Sequence, residues 1–329
     1  MHENPTPADQ QAEADLLIEI GCEELPPKAL DGLREALFTA VCAGLEREQV
    51  VFDGGSSCAY SSPRRLALLL KAVPSRQADQ VQERRGPALT SAFDANGKLT
   101  GAALGFARSL GVAADQLQTI ETVKGKWLAA LVHVQGRALG DIIFPVLEQA
   151  IRELPLPRPM RWAGHDFSFV RPVHWLVVLH GSHVLHGELL GRKAGNTTLG
   201  HRTHSPGPHV ISRAAAYLEV LRKAYVLADQ EVRRAKLRDA LLARNPATRL
   251  ENSLLAEVSN LVEWPVVIEC TFDAAFLELP HQVLVASMQD HQKLFPVCAA
   301  PGKTEVSNHF MAVANLESAN ESLVREGFE

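Results

Sequence analysis

The chain contains no run of about eighteen apolar residues, the length a helix needs to cross a bilayer, so a membrane span is not expected. Cysteine is sparse. Cys22, Cys42, Cys58, Cys270 and Cys298 are scattered and show no Cys-x-x-Cys spacing, which argues against a disulfide framework or a cysteine zinc site. A reduced, cytoplasmic protein with no metal is the expectation. Motifs by which many enzymes can be read are missing too: no Walker loop, no GxGxxG after a strand, no GxSxG elbow and no HExxH. The first residues, 1–13, are polar and proline-containing, carry no apolar signal core, and read as a disordered tail.

What is present is a sizeable core and an uneven distribution of charge. With 329 residues, 46% of them hydrophobic, the chain can support two domains or more. Its net charge of -5 divides into about -8 over residues 1–50, +3 over 51–150, +9 over 151–250 and -9 over 251–329. A basic segment between acidic flanks suggests a face for a polyanion. The opposing reading, of nearly equal weight, is that folding brings the two signs together.

Leu16 to Ile20 reads as a strand, and Pro26-Pro27 as the start of a helix with Leu30, Leu33, Leu37, Val41 and Leu45 on one face. Val50 to Phe52 and Leu66 to Val73 read as strands around a turn at Asp53-Gly54-Gly55, and Ser75 to Arg85 as a linker or exposed arm. A helical insertion is expected over about 86–111, with a turn at residues 94–97, then a hairpin of 120–123 and 127–134. Three prolines, Pro155, Pro157 and Pro159, end a helix over 142–154 and give the best internal boundary. Beyond them a hairpin is expected, His174 to Leu179 returning through Val184 to Leu190 with its tip at Gly181-Ser182. Helices are expected over 214–223, 230–244 (capped by Asp229) and 253–261. Val266 to Cys270, Leu284 to Met288, Leu294 to Val297 and Phe310 to Ala314 read as strands. The fold class expected is α/β (α+β), mixed and multi-domain, divided as 14–155 and 156–329.

Two groups of residues carry chemistry. Arg64, Arg65, Arg84, Arg85, Arg161, Arg171, Arg192, Lys193 and Arg202 are interleaved with Trp162, Phe167, Phe169 and Trp175. Arginine forks pair phosphates and aromatic faces stack unpaired bases, so this set is the candidate surface for single-stranded or loop RNA. Asp290, His291 and Lys293 place an acid, a base and a cation within four residues, although from spacing alone a polar turn is the somewhat better reading. Glu23 and Glu24 fit best as negative charge at a helix start. His180, His183 and His186 lack the further ligands that zinc would need.

Phrases along the chain match a known family. LLIEIGCEELPPKAL, SSPRRLAL, RRGPALTSAFDANGKLTGAALGFAR, KGKWL, MRWAGHDFSFVRPVHW, GNTTLGHR, LVEWPVV and MQDHQKLFPV follow one another from about Leu16 to Asn315. In this order they resemble the bacterial glycyl-tRNA synthetase β subunit, with Cys22 and Ser62 where the family commonly has threonine. The resemblance implies an α2β2 ligase in which the α subunit holds the site for glycine, ATP and Mg. This chain would then be a non-catalytic N-terminal fragment that contacts tRNA-Gly and the α subunit, with no cofactor of its own. A fainter likeness of the stretch from Arg171 to His201 to the B3/B4 fold of phenylalanyl-tRNA synthetase β subunits implies a B3/B4-like sheet domain over 156–329. It also raises hydrolytic editing as an alternative, with Asp290, His291 and Lys293 as its residues. A scaffold that only docks the α subunit is the other.

Overall fold

An apolar run without alternation needs cover on both faces, and the strand around residues 16–22 has it. The computed structural model describes residues 12–94, 97–122, 125–162, 164, 166–318 and 320–329. Nearly all of the expected tail lies outside them, as do Ala95 and Asn96 of one predicted turn and Val123 and Lys124 of the predicted hairpin. The first half carries β1 (Glu13–Cys22), α1 (Leu30–Arg47), β2 (Asp53–Ser62), β3 (Arg65–Pro74), β4 (Gln80–Ala88), α2 (Leu89–Ala92), α3 (Gly101–Ser109), β5 (Gln118–Thr122), β6 (Gly125–Val134) and α4 (Leu139–Glu153). Next come β7 (Val173–His180), β8 (His183–Val184), β9 (Glu188–Leu189), β10 (Arg192–Gly195), β11 (Thr197–Leu199), β12 (Pro208–Val210), α5 (Tyr217–Lys223), α6 (Gln230–Arg244) and α7 (Asn252–Ser259). The last elements are β13 (Val266–Thr271), α8 (His281–Ala286), β14 (Phe295–Cys298), β15 (Val306–Ala314) and α9 (Glu321–Glu326). This mixed assembly of helices and several sheets is the α+β class expected.

Two compact units divide the described chain. Arg76–Leu139 forms one, and Ala12–Ser75 with Gly140–Glu329 the other. In the smaller unit β4, β6 and β5 make an antiparallel sheet, and Ala92, Ala103 and Leu128 close a small core beneath α2 and α3. The expected linker over 75–85 therefore supplies an edge strand from Gln80 onward.

In the larger unit the central sheet runs β2-β3-β1-β7-β10-β9, with β8 on β7. β1 is antiparallel to both neighbours, Ile18 facing Leu68 on β3 and Val178 on β7. The expected boundary at the prolines thus falls inside this unit, since β1 and β7 lie on either side of it in sequence. Leu17, Leu69, Val177 and Leu179 pack against Tyr217 and Leu221 of α5. α1 buries the predicted stripe of Leu30, Leu33, Leu37, Val41 and Leu45, each worth about 1.5–3 kcal/mol over exposure. A Cβ on Gly44 would stand 2.5 Å from Val146, so glycine is what lets α1 lie against α4.

The third sheet, β13-β15-β14, is covered by α6 and α7 through Leu237, Leu254, Val258 and Phe295, and carries Ile268, Met288 and Phe310 on its other side. Three strand expectations fail here and nearby. Val50 to Phe52 is not a strand; β2 begins at Asp53, where a turn was expected, because glycine at 54 and 55 accepts extended backbone. Leu284 to Met288 is helical, running through α8 into a π turn at Ser287–His291, since an apolar run as short as residues 283–286 satisfies either period. The return from Gly181-Ser182 pairs for only two residues before the chain leaves to form β9 and β10.

Candidate functional site

The end of β1 is where the sequence's charged motifs meet. Gly21 lies flat under Trp175, whose ring a Cβ would meet at 1.8 Å. Cys22 N–H donates to Arg64 O (2.9 Å), Glu23 N–H to Pro172 O (3.1 Å) and Leu25 N–H to Pro63 O (2.7 Å), so the turn is tied to β3 and to the approach of β7. Glu23 and Glu24 are held there and face basic side chains. His174 Nε2 lies 2.8 Å from Glu23, Arg202 pairs with both carboxylates (3.1 Å to Glu24), and Arg171 Nε donates to Glu24 O at 3.0 Å. Arg192 Nε donates to Val173 O at 2.8 Å, which sets it at the same end of the sheet. A cavity of about 310 Å³ opens among Glu23, Arg64, His174, Trp175 and Arg202.

Beneath this surface is a buried ion network. Arg65, fully buried, donates to Ser62 (2.9 Å), Thr198 (3.2 Å), Leu199 O (3.0 Å) and Glu263 (3.0 Å), and stands 3.7 Å from Glu19. Arg64 donates to Gly200 O (2.6 Å) and pairs with Glu263 (2.9 Å). Glu19 accepts from Thr198 (2.6 Å) and from the Trp175 indole. Buried charges survive only when paired and hydrogen-bonded, and these are. Burial presses the Arg65 pKa down, but Glu263 and Glu19 outweigh it and raise it above its ordinary value. Burial likewise acts to raise Glu263, yet Arg65 and Arg64 hold its carboxyl below the usual range. At the surface, burial presses Glu23 upward and the hydrogen bonds from Arg202 and His174 bring it below its ordinary value.

The structure sorts the sequence candidates. Arg64 and Arg65 are corrected from surface to interior, at 6% and 0% exposure, with their charge spent on Glu263 and Glu19. Arg171, Arg192 and Arg202 come together at the sheet end. Lys193 is exposed on β10, in register with Glu188. Arg161 is exposed in the loop before β7, beside the Trp162–Phe167 edge contact at 5.3 Å. Arg84 and Arg85 belong to the smaller unit, Arg84 bonded to Gln82 (2.9 Å) and Arg85 over the Trp127 ring at 4.7 Å. Arg233 on α6 is buried and bonds the carbonyls of Ser259, Ser61 and Leu227, and burial pushes its pKa down to about 10.

Asp290 and His291 are exposed in the π turn, and Lys293 pairs with Glu257 at 3.1 Å. Asp290 and Lys293 line a cavity of about 550 Å³, and His291 is not among its lining residues. His180 is buried and bonded to Val73 O at 2.7 Å, and the described residues hold no cluster able to bind a metal ion. Sequence reasoning missed Glu19, Thr198 and Glu263. A signal for the two acids exists: each is a lone carboxylate inside an apolar run, LLIEIG and LVEWPVV, and such a residue has to find a cation.

A family model described as "Glycyl-tRNA synthetase beta subunit" matches residues 16–329. The chain is 42% identical over 318 residues to the glycine–tRNA ligase beta subunit of Pseudoalteromonas translucida, covering 95% of the chain and 46% of that relative. It is 43% identical over 322 residues to that of Chromohalobacter salexigens, covering 97% and 46%. To that of Xylella fastidiosa it is 42% identical over 318 residues, covering 95% and 44%. The chain spans about half the length of the curated relatives it matches.

Proposed function

The chain belongs to the glycyl-tRNA synthetase β-subunit family, and from that premise we propose that it serves glycyl-tRNA synthesis by contacting tRNA-Gly and by docking the α subunit of an α2β2 ligase. In this reading ATP, Mg and glycine are handled by the α subunit, and the work is cytoplasmic. Among the described residues no helix is long and apolar enough to cross a membrane.

The observation that carries the tRNA contact is the convergence of Arg171, Arg192 and Arg202 on one end of the central sheet. Arg171 and Arg192 are held by backbone carbonyls and keep donors free for phosphate oxygens, while Arg202 is engaged by the exposed carboxylates of Glu23 and Glu24. Filter binding of tRNA-Gly at two or more salt concentrations tests it. Replacing the three arginines by alanine together should weaken binding and flatten the log–log salt slope by about 0.9 for each duplex phosphate no longer neutralised. An unchanged affinity and slope rejects this face. Co-sedimentation with the α subunit tests docking separately, and a chain that docks but never retains tRNA is the scaffold reading.

Hydrolytic editing remains a second reading because Asp290 and Lys293 share a cavity of about 550 Å³. Release of the amino acid from mischarged tRNA-Gly, abolished by Asp290→Asn, is its test. Wild-type protein that leaves the ester intact rejects it.

A further inference from the structure

A second basic surface is built from residues outside the sheet-end cluster. Four aromatic rings form a ladder: His201 to His204 at 4.9 Å between centroids, His204 to Tyr225 at 4.9 Å, and Tyr225 to Trp264 at 5.2 Å, edge to face. Two of the rungs are pinned. Glu317 N–H donates to His204 Nε2 (2.8 Å), Trp264 Nε1 donates to Glu317 Oε1 (2.8 Å), and Asn315 Oδ1 accepts from the backbone N–H groups of Glu263 (2.7 Å) and Trp264 (3.0 Å). Tyr225 holds a left-handed backbone, φ 57°, in the tight turn that follows α5. Lys236 on α6 places its ammonium 3.5 Å from the Trp264 ring centre.

Tyr225 and Trp264 form the aromatic walls of a cavity of about 530 Å³, and Arg222, Lys223 and Glu219 form its rim. Lys223 is paired with Glu219 at 2.7 Å. Arg222 is exposed and has no ion pair among the described residues. The cavity therefore offers the Tyr225 and Trp264 rings, one face of Trp264 being taken by Lys236 and one side of Tyr225 by His204, with a free guanidinium at one mouth. A flat heteroaromatic ring attached to an anion matches that pairing, whereas a duplex, with its bases stacked inside, offers only the anion. Arg222, Lys223 and Tyr225 are near neighbours in sequence and Trp264 is remote, and none of the four was part of the basic set read from the chain.

We propose that the cavity between the end of α5 and Trp264 binds an unpaired nucleotide of RNA, its base against Tyr225 and Trp264 and its phosphate on Arg222. This rests on the RNA-binding reading of the chain but names a different surface and a different part of the RNA. The experiment uses the whole chain and three labelled probes: a single-stranded RNA hexamer, the same sequence as a blunt duplex, and tRNA-Gly, each titrated by fluorescence anisotropy at several salt concentrations. Trp264→Leu should weaken hexamer binding about tenfold, and Trp264→Phe, which keeps a stacking face, should restore it to within about twofold. The exposed pair Arg222→Ala with Lys223→Ala should flatten the hexamer salt slope by about 0.7 for each phosphate set free. Duplex binding should not change in the Trp264 variants, because paired bases offer nothing to stack. Should Trp264→Leu unfold the chain, the arginine–lysine pair decides alone. Wild-type binding to RNA with no effect of that pair on the hexamer overturns the cavity and leaves the RNA reading intact. Failure of the wild-type chain to bind any of the three probes removes the RNA reading itself, and the cavity with it.

Discussion

Glu263 is the residue on which the interior depends most. It is 2% exposed and neutralises Arg64 and Arg65 together, so its removal strands the buried Arg64 and leaves Arg65 only Glu19, at 3.7 Å. Breaking a buried pair from one side costs about 3–5 kcal/mol, and Glu263→Gln is expected to lose that much by chemical denaturation. The pH dependence has a definite sign. Burial acts to raise the Glu263 pKa, Arg65 and Arg64 outweigh it, and the folded value is depressed below the ordinary 4.5. Its stabilisation is therefore complete above about pH 4.5 and drains away as the pH falls through the lower folded value. Melting temperature measured from pH 7 down to pH 3 should fall less steeply in Glu263→Gln than in the wild type. Parallel curves would mean that other carboxylates govern acid unfolding. The acid was visible in LVEWPVV, but not its partners: an arginine some two hundred residues earlier is a fact of tertiary structure that no local period carries.

At the level of the element, local signals were sound where one element settles its own geometry. The leucine stripe of α1 is buried as read, and Asp229 caps α6, its carboxylate accepting from Glu231 N–H (3.0 Å) and Val232 N–H (3.2 Å). Asp229→Ala should cost about 1 kcal/mol in denaturant unfolding, with the free-energy slope unchanged. Signals failed where pairing is remote. β10 joins the sheet parallel to β7, and nothing in Arg192–Gly195 announces it; Val173–His180 reads equally well as half of a simple hairpin. Of the candidate site, the arginine-rich motifs were legible as residues, but the division into buried Arg65 and exposed Arg202 was not, since it is decided by the remote carboxylates of Glu19 and Glu263 that folding brings to Arg65. Gly21 shows how tightly such an element can be specified. Gly21→Ala drives a methyl into Trp175 and should destabilise by about 1–3 kcal/mol while changing the tryptophan near-UV signal.

Over the whole molecule, the charge partition in the sequence is partly cancelled by folding. The basic segment is met by its acidic flanks through Arg202 with Glu23 and Glu24, Arg234 with Asp31 (3.3 Å), and Arg244 with Glu321. Guanidinium groups engaged in this way remain open to a polyanion, because exposed ion pairs contribute only about 0.2–1 kcal/mol and exchange readily. Glu23 and Glu24 therefore act as competitors for any phosphate that reaches Arg202. Their removal makes the sharpest test of the sheet end as an RNA face. The double variant Glu23→Gln with Glu24→Gln keeps the shape of the turn, whose backbone bonds to Arg64, Pro172 and Pro63 are independent of both side chains. It should bind tRNA-Gly more tightly than the wild type at low salt and steepen the log–log salt slope by about 0.9 if one more phosphate is engaged. Stability should change by less than about 1 kcal/mol, separating a gain of free charge from a change of fold. A double variant that binds with wild-type affinity and slope would place the phosphate elsewhere, and the exposed guanidinium of Arg222 near Trp264 would then be the surface to follow.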